Sequence, residues 1–205
     1  GNVAPMTRID RGANAIGFTT AYDTRYDPDN AHSFAHRVYD RRDQLSLFDI
    51  EVEAVPVINQ GDTVAFNCTA LVRPALDLDP GQYRVGFILT ENNVGMDDRG
   101  YWAQQNYFSG YAFESKLGGW TELPDVVQNL RYHYVARALP APGGIEGSFT
   151  ELKATNEYRV AGTVTIPDTY ATDRKGDVAS MAVRPYMCEI TAYIVDGKDL
   201  SIQNS

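Results

Sequence analysis

Residues 63–74 read Thr-Val-Ala-Phe-Asn-Cys-Thr-Ala-Leu-Val-Arg-Pro, and the alternation in this stretch decides the fold class. Apolar side chains occupy every second position, at Val64, Phe66, Cys68, Ala70 and Val72. Side chains two residues apart share one face of a β-strand, so the stretch predicts a strand with one buried face. Pro74 lacks the backbone N–H that a sheet ladder requires and is expected to end the strand.

Four further segments have the character of strands, and turn signals separate them. They span residues 46–55, 82–90, 157–167 and 187–195, and Asp196-Gly197 predicts a hairpin with a short return strand. Leu130 to Leu139 alternates weakly and fits either a strand or a short helix. Because alternation of strands with helices is missing, we predict an all-β fold. The expected architecture is a two-sheet antiparallel β-sandwich, immunoglobulin-like or jelly-roll-like, with long aromatic loops.

Composition limits the classes of function. The chain has 205 residues and is 43% hydrophobic, so it can bury the core of one large domain. A formal net charge of −9 argues against nucleic-acid binding, which requires a basic face. The longest apolar runs are too short to cross a bilayer, so we expect no transmembrane segment. Residues 1–43 are predicted to be an N-terminal stub or linker, and residues 44–205 the sandwich domain.

Two short segments resemble a known family. Leu89-Thr90-Glu91-Asn92-Asn93-Val94-Gly95 is similar to the LTEDNVxG segment of the Omp-twenty-eight-related outer-membrane protein family. Tyr132-His133-Tyr134-Val135-Ala136-Arg137-Ala138 is similar to its HNHVxRA segment. The likeness covers roughly residues 44–205, with Asn92 in place of the usual Asp and Tyr134 in place of the second His.

The resemblance implies a compartment and a neighbouring domain, but it brings no settled biochemical activity. Members of the family are typically surface lipoproteins of Bacteroides-like bacteria, so the implied location is extracytoplasmic, at the outer membrane or cell surface. Membrane attachment would then come only through a lipid anchor outside this chain. Members also carry a thioredoxin-like domain before the sandwich, which implies that residues 1–43 include the end of that domain.

The most informative chemistry lies between residues 101 and 120, where both tryptophans of the chain fall. Aromatic rings stack on the C–H faces of sugars, and amide groups bond to sugar hydroxyls. We therefore predict a ligand-binding loop composed of Tyr101, Trp102, Gln104, Asn106, Tyr107, Tyr111 and Trp120. The alternative is a long loop that packs its own aromatic rings onto the sandwich.

Signals for metals and cofactors are weaker. Side chains with oxygen ligands crowd residues 23–30 and 91–98, as a calcium site requires, but neither stretch has EF-hand spacing and solvated turns are the simpler interpretation. His32 and His36 would share one helix face, yet no HExxH motif surrounds them. We predict no cofactor and leave the question of a metal open.

Cys68 and Cys188 lie on predicted inward faces and in no CxxC motif. One alternative is a cross-sheet disulfide formed in an oxidising envelope. The other is a pair of buried, unpaired thiols that pack like small hydrophobic side chains, and this is our prediction.

No motif in the chain fixes an activity, and no GxSxG elbow is present. We predict a non-catalytic cell-surface module that binds a glycan or a surface protein through the aromatic loop. One alternative is a scaffold domain that braces a neighbouring thioredoxin-like domain, with the aromatics buried. Another is a carbohydrate hydrolase, which would need a cleft with two carboxylates about 5–10 Å apart.

Overall fold

The computed structural model describes residues 45–95, 102–110, 119–128, 130–167, 170–172, 178–180 and 182–204. In these ranges one-turn 3₁₀ helices span Trp120–Glu122 and Pro185–Met187. The strands β1 to β13 span, in chain order, Phe48–Asn59, Asp62–Pro74, Tyr83–Glu91, Val94–Gly95, Gln104–Gln105, Val126–Val127, Arg131–Tyr132, Val135–Ala138, Tyr158–Thr165, Tyr170–Thr172, Val178–Ser180, Cys188–Asp196 and Ile202–Asn204.

The first sheet has the strand order β1-β2-β9, with antiparallel neighbours throughout. β1 and β2 form a long hairpin that begins with Phe48 opposite Pro74. At its tip Gln60 and Gly61 have φ values of 52° and 94°. Two successive positive φ angles are what a two-residue turn of type I′ requires, and its twist matches that of the strands it joins.

The second sheet has the strand order β13-β12-β3-β8, again with antiparallel neighbours. β3 is a central strand, and every residue from Tyr83 to Glu91 is buried or half-buried. This agrees with its continuous apolar sequence, which is typical of a strand covered on both faces.

The inward faces of the two sheets share one hydrophobic core. Its buried side chains include, from the first sheet, Cys68, Ala70, Val72, Val160 and Val164, and from the second, Val85, Phe87, Leu89, Ala192 and Ile194. The Phe87 ring packs against the backbone of β9 at Gly162, where a Cβ atom would lie only 2.7 Å from ring atom Cε2. Glycine is therefore required for this close approach. Two antiparallel sheets packed face to face over one core are the arrangement of a β-sandwich.

Residues 83–138 form a nested hairpin that begins with β3 and ends with β8. β3 pairs with β8, β4 pairs with β7, and β5 pairs with β6. In sequence, each pair of strands lies between the two strands of the previous pair. The segment is therefore a single hairpin with two interruptions. The predicted aromatic loop falls between β4 and β6 of this hairpin, and its residues 111–118 lie outside the described ranges.

The all-β prediction is confirmed. β1, β2, β3, β9 and β12 coincide with the five predicted strands to within a few residues. The segment that fitted either a strand or a short helix forms β7 and β8. The predicted stub at residues 1–43 lies outside the described part of the chain, and no helix in the described part is long and apolar enough to cross a membrane.

The apolar face of β1 is covered along only part of its length. Phe48 is buried and Ile50 is half-buried on that face. Val52 and Ala54, on the same face, are exposed. Alternation reports which face of a strand is apolar, whereas burial depends on whether a second layer extends far enough to cover it.

The two cysteines are free thiols, as predicted. Cys68 is buried in the core, while Cys188 is half-buried rather than fully buried. Cys188 is the first residue of β12 and lies at the end of that strand, which explains its partial exposure.

Candidate functional site

A pocket of about 220 Å³ lies where the chain leaves β3. Its described lining comes from the end of β3, from β4, from β8, and from the segments just before β5 and β12. The lining residues are Glu91, Val94, Gly95, Trp102, Arg137, Ala182 and Arg184. The pocket therefore combines a carboxylate, two guanidinium groups and an indole ring.

A buried carboxylate forms the base of this arrangement. Glu91 ends β3, and its side chain is 2% exposed. Its Oε1 accepts hydrogen bonds from Arg184 Nε at 2.7 Å and from the Arg184 backbone N–H at 3.2 Å. Its Oε2 lies 3.3 Å from Arg137 Nε. A carboxylate removed from water loses several kcal/mol of hydration, and the contacts with the two arginines offset part of that loss.

Arg184 also fixes the backbone around the pocket. Its Nη2 donates to the carbonyl oxygens of Asn92, at 3.1 Å, and Asn93, at 2.7 Å. Asn93 has a φ of 58°, and the two asparagines form the turn between β3 and β4. Arg184 thus ties the segment before β12 to the turn at which the nested hairpin departs from the second sheet.

The lining combines charges of both signs. Its described residues include two guanidinium groups and one carboxylate. Arg137 is 5% exposed and Arg184 is 35% exposed, measured on their side chains. Charges in such a position are screened by water much less than charges on the open surface. Electrostatic interactions among these three charged groups are therefore strong.

Trp102 forms a wall of the pocket and is held by Tyr132 of β7. The two rings lie with their centroids 5.9 Å apart at an interplanar angle of 43°. The Tyr132 hydroxyl donates a hydrogen bond of 2.9 Å to the carbonyl oxygen of Trp102. Burial raises the pKa of Tyr132, so this hydroxyl remains a donor at neutral pH. One side chain thus positions both the ring and the backbone of Trp102.

Gly95 brings β4 and the end of β7 together beside this wall. Its φ is +117°, and a Cβ atom at this position would lie 2.1 Å from the carbonyl oxygen of Leu130. No other residue fits there without a shift of the backbone. The glycine therefore fixes the spacing between the two sides of the nested hairpin at the pocket.

Asn106 organises the loop beyond β5. Its side chain is buried, and Nδ2 lies 2.7 Å from the carbonyl oxygen of Trp120 and 3.2 Å from those of Leu123 and Pro124. Its Oδ1 accepts a hydrogen bond of 3.1 Å from the backbone N–H of Phe108. The amide is thus bonded to the backbone of its own loop, and we do not retain Asn106 among the residues that would contact a ligand.

The remaining predicted loop residues have different surroundings. Tyr107 is 79% exposed, Gln104 is exposed, and Trp120 is half-buried in its 3₁₀ helix. Trp102 is the predicted residue that the structure brings to the pocket. Tyr101 and Tyr111 lie outside the described residues. Exposure of the described aromatics is therefore mixed, with an open tyrosine and two half-buried tryptophans.

Cys188 lies beside the charged groups of the pocket. It faces Glu91 in the register of β12 and β3, and its Sγ donates to the Arg184 carbonyl oxygen at 3.4 Å. Burial, and then the Glu91 charge, raises its pKa to about 11, against the opposing effect of the two arginines. The thiol is therefore protonated at neutral pH.

Sequence reasoning missed Arg137 and Arg184 as site residues, and it considered Glu91 only as one oxygen ligand of a possible calcium site at residues 91–98. Glu91 and Arg137 lie within the two segments 89–95 and 132–138 that carried the family resemblance, and the register of β3 and β8 brings these segments side by side. The position of Glu91 and Arg137 within these two segments was the sequence signal that could have identified them. Arg184 stands in no motif, and nothing in the sequence near it marked it.

The metal candidates find no support in the described residues. No cluster of three or more His, Cys, Asp or Glu side chains in the described ranges is placed to hold a metal ion. Asn92 instead accepts a hydrogen bond from the Tyr134 backbone N–H at 2.9 Å and donates one to the Glu189 carboxylate. His32, His36, the acidic stretch at residues 23–30 and residues 96–98 of the second stretch lie outside the described ranges.

Comparisons of the chain with protein-family models, with curated proteins and with solved structures find no match. The resemblance of residues 89–95 and 132–138 to the outer-membrane protein family thus remains a prediction.

Proposed function

We propose that this chain is a non-catalytic cell-surface binding module. Its ligand would contact the pocket at the base of the nested hairpin, with the exposed part of the aromatic loop beside it. The observation that carries the proposal is the pocket itself, where Trp102 closes one side of a cavity containing two guanidinium groups and a carboxylate. Binding sites combine aromatic walls with a few fixed polar groups in this way.

The loop has the properties of a prepared binding surface. In the parts of the loop that the structure describes, the buried Asn106 amide and the Tyr132 hydroxyl bond to the backbone, so a ligand would not have to order these parts. Tyr107 is 79% exposed on a loop fixed in this way. A large exposed aromatic on an ordered backbone contributes contact area at little entropic cost, which favours recognition.

Cell-surface location is the part of the proposal that depends on the resemblance of residues 89–95 and 132–138. The scaffold alternative is supported by the half-buried state of Trp102 and Trp120, whose rings would then mainly stabilise the loop. The hydrolase alternative has no such support, because Glu91 is the single carboxylate among the described lining residues and it is bonded to arginine. Glycoside hydrolysis uses two carboxylates.

The test is a binding screen of the whole chain against a panel of immobilised glycans and surface-protein extracts of the source cells. Trp102→Ala and Tyr107→Ala are compared with the wild type at equal concentration. Tyr186→Ala is the matched control, because Tyr186 is 78% exposed and does not line the pocket. We expect Trp102→Ala and Tyr107→Ala to lose binding while Tyr186→Ala retains it.

Stability measurements separate binding from scaffolding. If Tyr107→Ala and Trp102→Ala leave every interaction of the wild type unchanged, the proposal is wrong. If in addition Trp102→Ala and Trp120→Ala each cost about 3–5 kcal/mol of unfolding free energy, as buried aromatics do, the scaffold function is favoured.

A further inference from the structure

We propose that a basic, extended segment of a partner protein adds to β12 as an antiparallel strand, in line with β13. The segment would lie beside residues 188–192 and face the uncovered part of β1. This inference goes beyond the proposed function, because it names a second surface, away from the pocket cavity, and a polypeptide ligand. It is carried by the open edge of β12, by the open side of the core and by the charge beside them.

The outer edge of β12 is open over much of its length. β12 pairs with β3 along all nine of its residues, whereas β13 pairs with it only at Ile194 and Val195. Among the described strands, none pairs with the rest of that edge. A row of backbone N–H and C=O groups at a sheet edge is a template for another strand.

The backbone groups of Ile190 and Ala192 point to this edge. At the end of β12 the Asp196 N–H donates to the Ser201 carbonyl oxygen at 2.9 Å, on the side of β13, and the Gly197 N–H donates toward β3. Successive residues of a strand alternate in this way, and the register of β12 with β3 is uniform. Ile190 and Ala192 therefore have the orientation of Asp196, and no described strand lies on that side to pair with them.

The open edge coincides with an open side of the core. One row across the first sheet runs from Ala54 through Cys68 to Gly162. Gly162 packs on the Phe87 ring of the second sheet, and Phe87 pairs with Ala192. Across the sandwich this row is closed where Gly162 meets Phe87. It is open between Ala54 and Ala192, where a further strand beside β12 would face β1.

The side chains around this opening are apolar. Val52 is 37% exposed and Ala54 is exposed, although both lie on the face of β1 that continues the core. Ile190 of β12 is half-buried. A strand beside β12 would direct every second side chain into this space, where aliphatic residues would cover these three. In such strand addition, backbone hydrogen bonds give affinity and alternate side chains give specificity.

Charge decides between a second copy of this chain and a different protein. Glu189 is exposed at the open edge, and no described cationic side chain forms an ion pair with it. Opposite charges on neighbouring strands stabilise their pairing, and like charges oppose it. A second copy has a formal net charge of −9, so an added strand with Lys or Arg at its outward positions is the better match.

The test uses peptides that differ in their ability to pair. The probe is acetyl-Lys-Val-Thr-Val-Thr-Val-Lys-amide, titrated into the isotope-labelled whole chain and followed by NMR. In the proposed pairing the N–H groups of its Val residues face β12, because their side chains share the face of Ile190 and Ala192. N-methylation of two Val residues should therefore weaken binding at least about 10-fold, whereas N-methylation of the two Thr residues should change it less than about twofold.

Variants assign the binding to this edge. Val52→Asp places a charge on the uncovered face and should weaken binding of the probe at least about 10-fold, since an added strand would remove that charge from water. Val55→Asp is the matched control, because Val55 is 63% exposed on the opposite face of the same strand, and it should stay within about twofold of wild type. Circular dichroism verifies the fold of both variants. If Val52→Asp does not fold, the two methylated peptides on the wild-type chain decide the question.

Amide exchange distinguishes the possible occupants of the edge. In the free chain the N–H groups of Ile190 and Ala192 should exchange faster than those of Glu189 and Thr191, which face β3, and the probe should slow them at least about 10-fold. Slow exchange at every protein concentration would show that another part of this chain occupies the edge. Slow exchange only at high concentration would show a second copy, and either result would overturn the proposal.

The proposal also fails if the probe does not bind, or if the two methylated peptides bind equally. These outcomes leave the pocket untouched, because none of them involves Trp102 or Tyr107. Loss of glycan or protein binding in the variants of those two residues, conversely, does not bear on the edge of β12.

Discussion

Replacement of Glu91 by Gln is the sharpest perturbation of the pocket. The change preserves shape and one acceptor oxygen, but it removes the negative charge that Glu91 places beside Arg137 and Arg184. Loss of one partner from a buried ion pair typically costs about 3–5 kcal/mol. Because the Arg184 side chain is 35% exposed, water compensates part of the loss. We therefore expect a decrease of about 3 kcal/mol in the unfolding free energy, at the lower end of that range.

The assay is urea denaturation at neutral pH, followed by circular dichroism and Trp fluorescence. With a slope of about 2 kcal/mol per molar urea, the midpoint should fall by about 1.5 M. Glu189→Gln is the control, because Glu189 is exposed and glutamine can still accept the hydrogen bond from Asn92. It should remain within about 0.5 kcal/mol of wild type. A Glu91→Gln loss below about 1 kcal/mol, or one equal to the control, would show that the cluster is not buried as described.

Three further perturbations test the loop, the core and the thiols. Asn106→Ala leaves three loop carbonyls without their donor, so it should cost about 1–3 kcal/mol and shift Trp emission to the red; an unchanged midpoint and spectrum would argue against the loop geometry. Gly162→Ala places a methyl group 2.7 Å from the Phe87 ring and should lower the free energy of unfolding by about 1–3 kcal/mol. An unchanged free energy of unfolding would contradict the close packing of the sheets. Cys188 has a folded-state pKa of about 11 against an ordinary value of 9.0, so its contribution is fully present below pH 9 and is lost as pH rises through about 11. Urea midpoints should therefore fall over this interval and fall less in Cys188→Ala, and titration of denatured, unreduced protein should find two thiols; equal slopes, or fewer than two thiols, would refute this.

The fold was largely predictable because a strand with one apolar face repeats its pattern every two residues. Residues 63–73 indicated both a strand and its buried face from local sequence alone, and residues 157–167 indicated a strand. Residues 130–139 remained ambiguous since β7 and β8 are short and joined by a turn at Tyr134, whose φ is 55°. In β1 the pattern did not show how far burial extends, because nothing local to a strand reports where the opposing sheet ends.

Composition was enough to identify the aromatic loop, but it could not predict the roles of the individual loop residues. Trp102 and Tyr107 differ in exposure although they lie in the same loop, and Tyr132, which holds Trp102, is 30 positions away in the chain. Asn106 had the composition of a ligand contact, yet its partners are carbonyls 14 to 18 positions distant.

The sequence by itself determined the all-β class, the principal strands and the turns that join them, because these depend on neighbours along the chain. Tertiary structure alone decided the pocket, because Glu91, Arg137 and Arg184 meet only through the pairing of β3 with β8 and β12. A charged side chain is solvated in the extended chain and shows no preference for a partner there. Its pairing is fixed when folding removes it from water and makes a counter-charge at close range necessary.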